Sequence, residues 1–131
     1  MYPKFPVNLA NPVQPGDHMT AEVSVTGRGN FTLTISNTTR AWTFTTHQKS
    51  AKAKLGSAEW IAEAPSGSGG VLPLANFGTV SFSSCTANGV SISSNPNADE
   101  IVMQTSTGTV KAQPSALSSS GTSFDVAWQH S

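Results

Sequence analysis

Two carboxylates, Glu59 and Glu63, stand four residues apart in a chain that has only seven acidic residues in 131. The run AEWIAE at residues 58–63 predicts a β-strand, in which successive side chains point to opposite faces. Both carboxylates and Ile61 would then share one face, while Trp60 and Ala62 share the other. Since a carboxylate placed beside a water molecule can take its proton, this strand indicates a hydrolase or a descendant of one.

The spacing of the two carboxylates argues against reactions that need a close acidic pair. Along a strand they would lie about 13 Å apart, at ~3.3 Å per residue. This is too far to share a proton, and it exceeds the separations of both kinds of glycosidase pair. Two alternatives stay open for Glu59, a place in the wall of a substrate groove or a pairing with a Lys or Arg. For Glu63 the alternative to catalysis is an exposed strand carboxylate with no role.

The same residues carry a family resemblance. The run at 58–63, a Gly/Ser loop, Leu72-Pro73 and the run FGTVSF at 77–82 resemble the glutamic peptidases, also called eqolisins. The resemblance extends upstream to the runs MYP at 1–3 and FPV at 5–7 and to Pro15-Gly16-Asp17. It covers residues 1 to about 83 and, more loosely, the rest of the chain.

The resemblance implies an acid-active endopeptidase on an antiparallel, lectin-like (concanavalin-like) β-sandwich. Glu63 would activate the attacking water, and a glutamine from another strand would position that water and stabilise the oxyanion. Such an enzyme needs no cofactor and forms no covalent intermediate. The implied substrate is a protein or peptide, and the implied location is extracellular.

One departure from the family pattern affects this expectation. Glutamic peptidases carry an N-terminal portion that includes the partner glutamine, and this sequence begins at the Tyr-Pro segment. No glutamine of the chain lies in a segment that matches the family's glutamine strand; the five are Gln14, Gln48, Gln104, Gln113 and Gln129. The sandwich is therefore expected to be incomplete, and its unpaired strand edges predict a homodimer.

Composition sets wider bounds. The length predicts one β-sandwich domain over residues 1–131, and a formal net charge of zero with 11% charged residues argues against nucleic acid as a partner. No apolar run is long enough for a membrane span, and no signal peptide is evident at the start. The single cysteine, Cys85, is expected to be a small buried residue, and the three scattered histidines predict no metal site.

Short strands with turn residues between them predict an all-β fold. Residues 48–55, with three lysines, are expected to form a loop or a single helical turn. The expected strands are residues 18–25, 31–36, 42–46, 59–63, 79–83, 90–93, 100–105, 109–112 and 123–128. The first is expected to be half-buried and to follow a turn at Pro15-Gly16, and residues 27–30 are expected to form a hairpin turn before the second. Asn88-Gly89 and the run NPN at 95–97 are expected to be turns, and Trp60 is expected to fill the core.

Two other interpretations compete with the peptidase. A non-catalytic module could hold a carbohydrate or an extended peptide on the concave face of the sandwich, since low charge, polar strands and tryptophans suit that as well. An inert remnant of the fold is the third. Only the peptidase is expected to depend on Glu63.

Overall fold

The computed structural model describes residues 7–131, and within them it contains eleven β-strands and one 3₁₀ turn at Ile92–Ser94. The strands are β1 (Met19–Thr26), β2 (Asn30–Asn37), β3 (Trp42–Lys49), β4 (Ser66–Gly67), β5 (Gly70–Val71), β6 (Thr79–Phe82), β7 (Thr86–Ala87), β8 (Val90–Ser91), β9 (Met103–Gln104), β10 (Val110–Pro114) and β11 (Phe124–Trp128). All their pairings are antiparallel, so the predicted all-β class is confirmed. The chain forms two compact units, Met1–Leu55 and Gly56–Ser131.

The first unit is a three-stranded sheet in the order β1-β2-β3. The predicted hairpin at residues 27–30 is confirmed, with Thr26 opposite Asn30. Gly29 has a φ of +75°, and a Cβ there would lie 2.2 Å from the carbonyl oxygen of Ser50. Only glycine fits such a close approach without strain. The amide of Ser50 in turn donates to the Gly29 carbonyl at 2.8 Å, which ties the hairpin to the end of β3.

The two faces of this sheet differ in chemistry. One face carries a row of hydroxyl contacts between β2 and β3: Thr32 with His47 at 3.1 Å, Thr34 with Thr45 at 3.1 Å and Ser36 with Thr43 at 2.9 Å. The other face is mainly apolar. The expectation that β1 is half-buried is wrong, because every residue of this edge strand is exposed, Val23 to 65%. β3 is the other edge strand of this sheet and keeps half-buried residues in alternation, so an edge position alone does not explain the exposure of β1.

A polar cluster (Gln14, Asp17, Asn37 and Arg40) links the segment before β1 to the turn after β2. Pro15-Gly16 forms the predicted turn, with the Asp17 amide donating to the Gln14 carbonyl at 3.1 Å. The Oδ2 atom of Asp17 accepts from the Gln14 amide at 2.9 Å, from Asn37 Nδ2 at 2.7 Å and from Arg40 Nε at 2.7 Å. Burial of the Asp17 carboxyl acts to raise its pKa, but these donors and the charge of Arg40 together hold that pKa below its ordinary value of 3.8.

The lowered pKa of Asp17 predicts how the stability of the first unit depends on pH. Because the folded form holds the carboxylate more tightly than the unfolded form, the contribution is complete above pH 3.8 and is lost as the pH falls through the lower folded value. We expect Asp17→Asn to lower the unfolding free energy at pH 6 and to remove this acid-dependent part of the profile. Urea unfolding between about pH 2 and 6 measures both. A parallel pH dependence in the two proteins would contradict the assignment to Asp17.

The second unit contains a four-stranded sheet in the order β6-β11-β10-β9 and two short hairpins, β4-β5 and β7-β8. Leu74, Ala112 and Val126 are its buried apolar core, and the half-buried residues packed against them are Ala62, Ala64, Phe77, Phe82, Met103, Phe124 and Trp128. The Phe82 and Phe124 rings stack with centroids 5.0 Å apart. Trp128 Nε1 donates to the Leu74 carbonyl at 3.3 Å, so this tryptophan has a core role.

Several predicted strands differ from the observed ones. Residues 59–63 belong to no strand. Of the strand expected at 90–93, only β8 is observed, and the 3₁₀ turn follows it. Of the strand expected at 100–105, only β9 is observed. Gln48 and Lys49 end β3, and a turn without a helix follows. Among the described residues, none of these segments has a neighbouring strand along its whole length. A β-strand is defined by its ladder of hydrogen bonds to a neighbour, so these segments are shorter strands than expected or none. The family-like segments at 1–3 and 5–6 lie outside the described residues.

Over residues 7–131 the structure contains no helix with the length and apolar character needed to cross a bilayer.

Candidate active site

Residues 57–64 run through the second unit, and from Glu59 to Ala64 their exposure alternates. Trp60, Ala62 and Ala64 are half-buried, while Glu59, Ile61 and Glu63 are exposed. Ala62 and Ala64 pack against the core cluster. The predicted division of side chains between two faces is therefore confirmed, although the segment is not a paired strand.

Among residues 7–131 the backbone of this segment has no strand partner. The ladders and loop hydrogen bonds of the described chain use none of the amide or carbonyl groups of residues 57–64. Its side-chain alternation comes from packing against the core, because Ala62 and Ala64 anchor one face. Unpaired backbone groups of this kind can receive an added strand.

A groove of about 1060 Å³ lies beside the segment. Residues 56–63 line it together with most of residues 87–103 and with residues from β10, β11 and the turn between them. The groove reaches the core. Four of its lining residues belong to the core cluster or pack against it: Met103, Ala112, Phe124 and Val126. Trp60 was expected to fill the core; it is half-buried and lines the groove instead.

Both candidate carboxylates line this groove, but their surroundings differ. Glu59 Oε1 accepts a hydrogen bond from Ser57 Oγ at 3.1 Å, and of the two alternatives for Glu59 the pairing with a Lys or Arg is not observed among residues 7–131. Glu63 is exposed, and its carboxylate has no side-chain hydrogen bond or ion pair with any residue in 7–131. Its oxygens can therefore accept from a water molecule or an incoming ligand.

None of the five glutamines, all within the described range, lines the groove. Gln14 contacts Arg40 in the polar cluster, and Gln113 donates to the Pro114 carbonyl. The amides that do line the groove are Asn88, Asn95 and Asn97.

Asn95 is the groove amide whose side-chain oxygen is held by a backbone hydrogen bond. Its Oδ1 accepts from the Asn97 amide at 3.0 Å, while its Nδ2 makes no hydrogen bond within the described part of the chain. Sequence reasoning treated Asn88-Gly89 and the run NPN at 95–97 only as turns. The turns are real, with φ of +53° at Asn88 and +77° at Gly89, but their amides also face a groove that pattern alone does not reveal.

The charged lining residues all carry the same sign. Asp99 and Glu100 join Glu59 and Glu63, and no Lys, Arg or His within residues 7–131 lines the groove. In residues 7–131 no three acidic, His or Cys side chains come close enough to hold a metal ion. Cys85 is buried outside the groove, and burial raises the pKa of its thiol, which disfavours the reactive thiolate.

Two comparisons with known proteins relate this arrangement to a family. The model of the peptidase A4 family matches residues 1–128. The crystal structure of aspergilloglutamic peptidase from Aspergillus niger is similar with a TM-score of 0.80 and 22% sequence identity, over 98% of this chain and 76% of that chain. No curated protein gives a significant match. The structural likeness establishes the β-sandwich fold, and the family match covers nearly the whole sequence. The chain therefore belongs to the peptidase A4 family, the glutamic peptidases.

Proposed function

We propose that this protein hydrolyses peptide bonds in acid and that Glu63 is its general base. The observation that carries the proposal is the position of Glu63, an exposed carboxylate that has no side-chain partner in residues 7–131 and lines a groove of about 1060 Å³. Membership of the glutamic peptidases supports the reaction type. Glutamate is a suitable base for acid conditions, because its ordinary pKa of about 4.3 leaves part of it ionised where histidine is fully protonated.

The proposed reaction takes place in two steps without a covalent intermediate. Glu63 removes a proton from a water molecule while the water oxygen attacks the peptide carbonyl, and the carbonyl oxygen becomes an oxyanion. The C–N bond then breaks as the carbonyl reforms, and the protonated Glu63 gives its proton to the leaving amine. The products are a carboxylic acid and an amine, and Glu63 returns to its starting state.

The oxyanion needs a fixed donor, and the groove offers Asn95 Nδ2 for that role. A glutamine is the expected donor by family resemblance, but none lines the groove. Asn95 carries the same carboxamide group, and the Asn97 amide holds its oxygen. We place Glu59, held by Ser57, in the wall that contacts the substrate.

Two further parts of the proposal concern the setting of the protein. We place it outside the cell, where an acid-active peptidase can digest proteins; few charges and many Ser, Thr and Asn residues suit that setting. We also propose self-association through exposed edges, since β1 is an edge strand and residues 57–64 have unpaired backbone groups. Sedimentation equilibrium over a wide concentration range tests the second part, and a monomer throughout would contradict it.

The direct test of the proposed activity is hydrolysis of a denatured protein at pH values from about 3 to 7, with and without a metal chelator. We expect cleavage that peaks in acid and is unchanged by the chelator, since only carboxylate and amide chemistry is used. New amino termini counted by mass spectrometry show whether peptide bonds are the target. An absence of cleavage at every pH would overturn the activity.

The second candidate function is a binding module for a carbohydrate or an extended peptide. Trp60 favours it, because a half-buried indole in a groove offers a flat face for stacking. Binding by such a module should survive Glu63→Gln with little change, whereas peptide hydrolysis should not.

A further inference from the structure

The charges of the sequence are divided unequally between the two units. Residues 1–55 hold six of the seven basic residues and two of the seven acidic ones, a formal charge of +4. Residues 56–131 hold one basic and five acidic residues, a formal charge of −4. The net charge of zero for the whole chain conceals this division.

The groove concentrates the negative charge of the second unit. Four of the five acidic residues of this unit line it: Glu59, Glu63, Asp99 and Glu100. The single lysine of the unit, Lys111, is not among the lining residues, although its neighbour Ala112 is. All four carboxylates are exposed and none forms an ion pair among the described residues, so their charge is directed at solvent or at a ligand.

Apolar surface lies between these charges. Ile61 separates Glu59 from Glu63 and is 52% exposed, and Ile101 follows Glu100 and is 68% exposed. Both isoleucines line the groove, as do Met103 and Phe124. The groove therefore offers apolar contact and negative charge side by side, and none of its described lining residues carries a positive charge for an acidic ligand.

We propose that the groove selects extended peptides in which basic residues flank apolar ones. The inference rests on the proposed function, since it names the substrate class of the same site. An extended peptide can use the backbone groups of residues 57–64, which no other residue in 7–131 pairs with, for main-chain hydrogen bonds. Its alternating side chains can then place Lys or Arg near the carboxylates and apolar groups against the isoleucines and Met103. Complementary charge sets this preference, and apolar burial supplies affinity.

The experiment measures binding, separately from hydrolysis, in the full chain carrying Glu63→Gln. Three fluorescein-labelled peptides of nine residues alternate Val with Lys, with Ser or with Glu, and fluorescence anisotropy at pH 7 gives their dissociation constants. We expect the Lys peptide to bind about ten-fold more tightly than the Glu peptide, with the Ser peptide between them. At about 0.5 M salt the difference should shrink, because exposed charges are then screened.

A matched pair of variants assigns the preference to the groove. Asp99→Asn combined with Glu100→Gln removes two groove charges and should weaken binding of the Lys peptide about five-fold while leaving the Ser peptide unchanged. Asp125→Asn removes an exposed charge of the same unit that does not line this groove, and it should change both by less than two-fold. Thermal unfolding of each variant checks that the fold is retained.

The outcomes separate this inference from the proposed function. Equal affinity for the three peptides, or a charge preference that survives loss of Asp99 and Glu100, would overturn the inference even if the unmodified protein cleaves peptides in acid. A charge preference that follows the groove carboxylates would support it even if no peptide is cleaved, and only the proposed activity would then fail.

Discussion

Acid-pH cleavage of peptides is expected to fall at least about 10²-fold when Glu63 is replaced by glutamine, because a positioned general base contributes about 10²–10⁴-fold to such a reaction. The change removes the basic oxygen and keeps the size of the side chain. Since Glu63 is exposed and has no side-chain partner among residues 7–131, its loss should leave the unfolding free energy almost unchanged. Initial rates with a quenched fluorescent peptide give the first quantity, and urea unfolding gives the second.

Glu59→Gln is the matched control for this prediction. It alters an identical side chain on the same exposed face, four residues earlier, and that side chain also lines the groove. Because Ser57 Oγ already donates to Glu59, we expect the variant to keep most of the rate and to change mainly KM. An equal loss of kcat in both variants would contradict the assignment of the base to Glu63 alone. A loss confined to Glu59→Gln would reverse the two roles.

The largest effect on stability is expected for Asn37→Ala in the first unit. Asn37 is fully buried, its Nδ2 donates to Asp17 Oδ2 at 2.7 Å and its Oδ1 accepts from the Arg40 amide at 2.9 Å. Alanine would leave the Asp17 carboxylate without one donor and the Arg40 amide without its acceptor. Buried groups that lose a partner cost about 1–3 kcal/mol each, so we expect the unfolding free energy to fall by about 2–4 kcal/mol. Urea unfolding at pH 6 measures the change.

Asn30→Ala tests whether the position of Asn37, and not its residue type, produces this loss. Asn30 begins the same strand, β2, and its side chain is exposed. Its backbone pairings with Thr26 and Lys49 do not depend on the side chain. We expect a change within about 0.5 kcal/mol. Similar losses at both ends of β2 would show that the polar cluster adds nothing beyond the strand itself.

Much of the first unit could be predicted from local sequence. Alternation of apolar and polar residues located β1, β2 and β3, and the glycines at 27 and 29 located the hairpin turn between the first two. The partners of Asp17 could not be predicted, because Asn37 and Arg40 lie more than 19 residues away and meet the carboxylate only when the sheet forms. Local pattern also gave no sign that β1 would be exposed along its whole length.

For the candidate site, residue types and their spacing were enough to predict the family, the all-β class and the two faces of residues 59–64. These follow from residue types and from the two-residue period of an extended chain, which are local properties. Three features depend on the folded chain: residues 59–63 have no strand partner among the described residues, Trp60 lines a groove, and the Asn95 amide and the carboxylates of Asp99 and Glu100 line it with Glu63. Asn95, Asp99 and Glu100 lie 32 to 37 positions beyond Glu63 in the sequence. They share its groove because folding brings these two segments together, through contacts between residues that are distant in sequence.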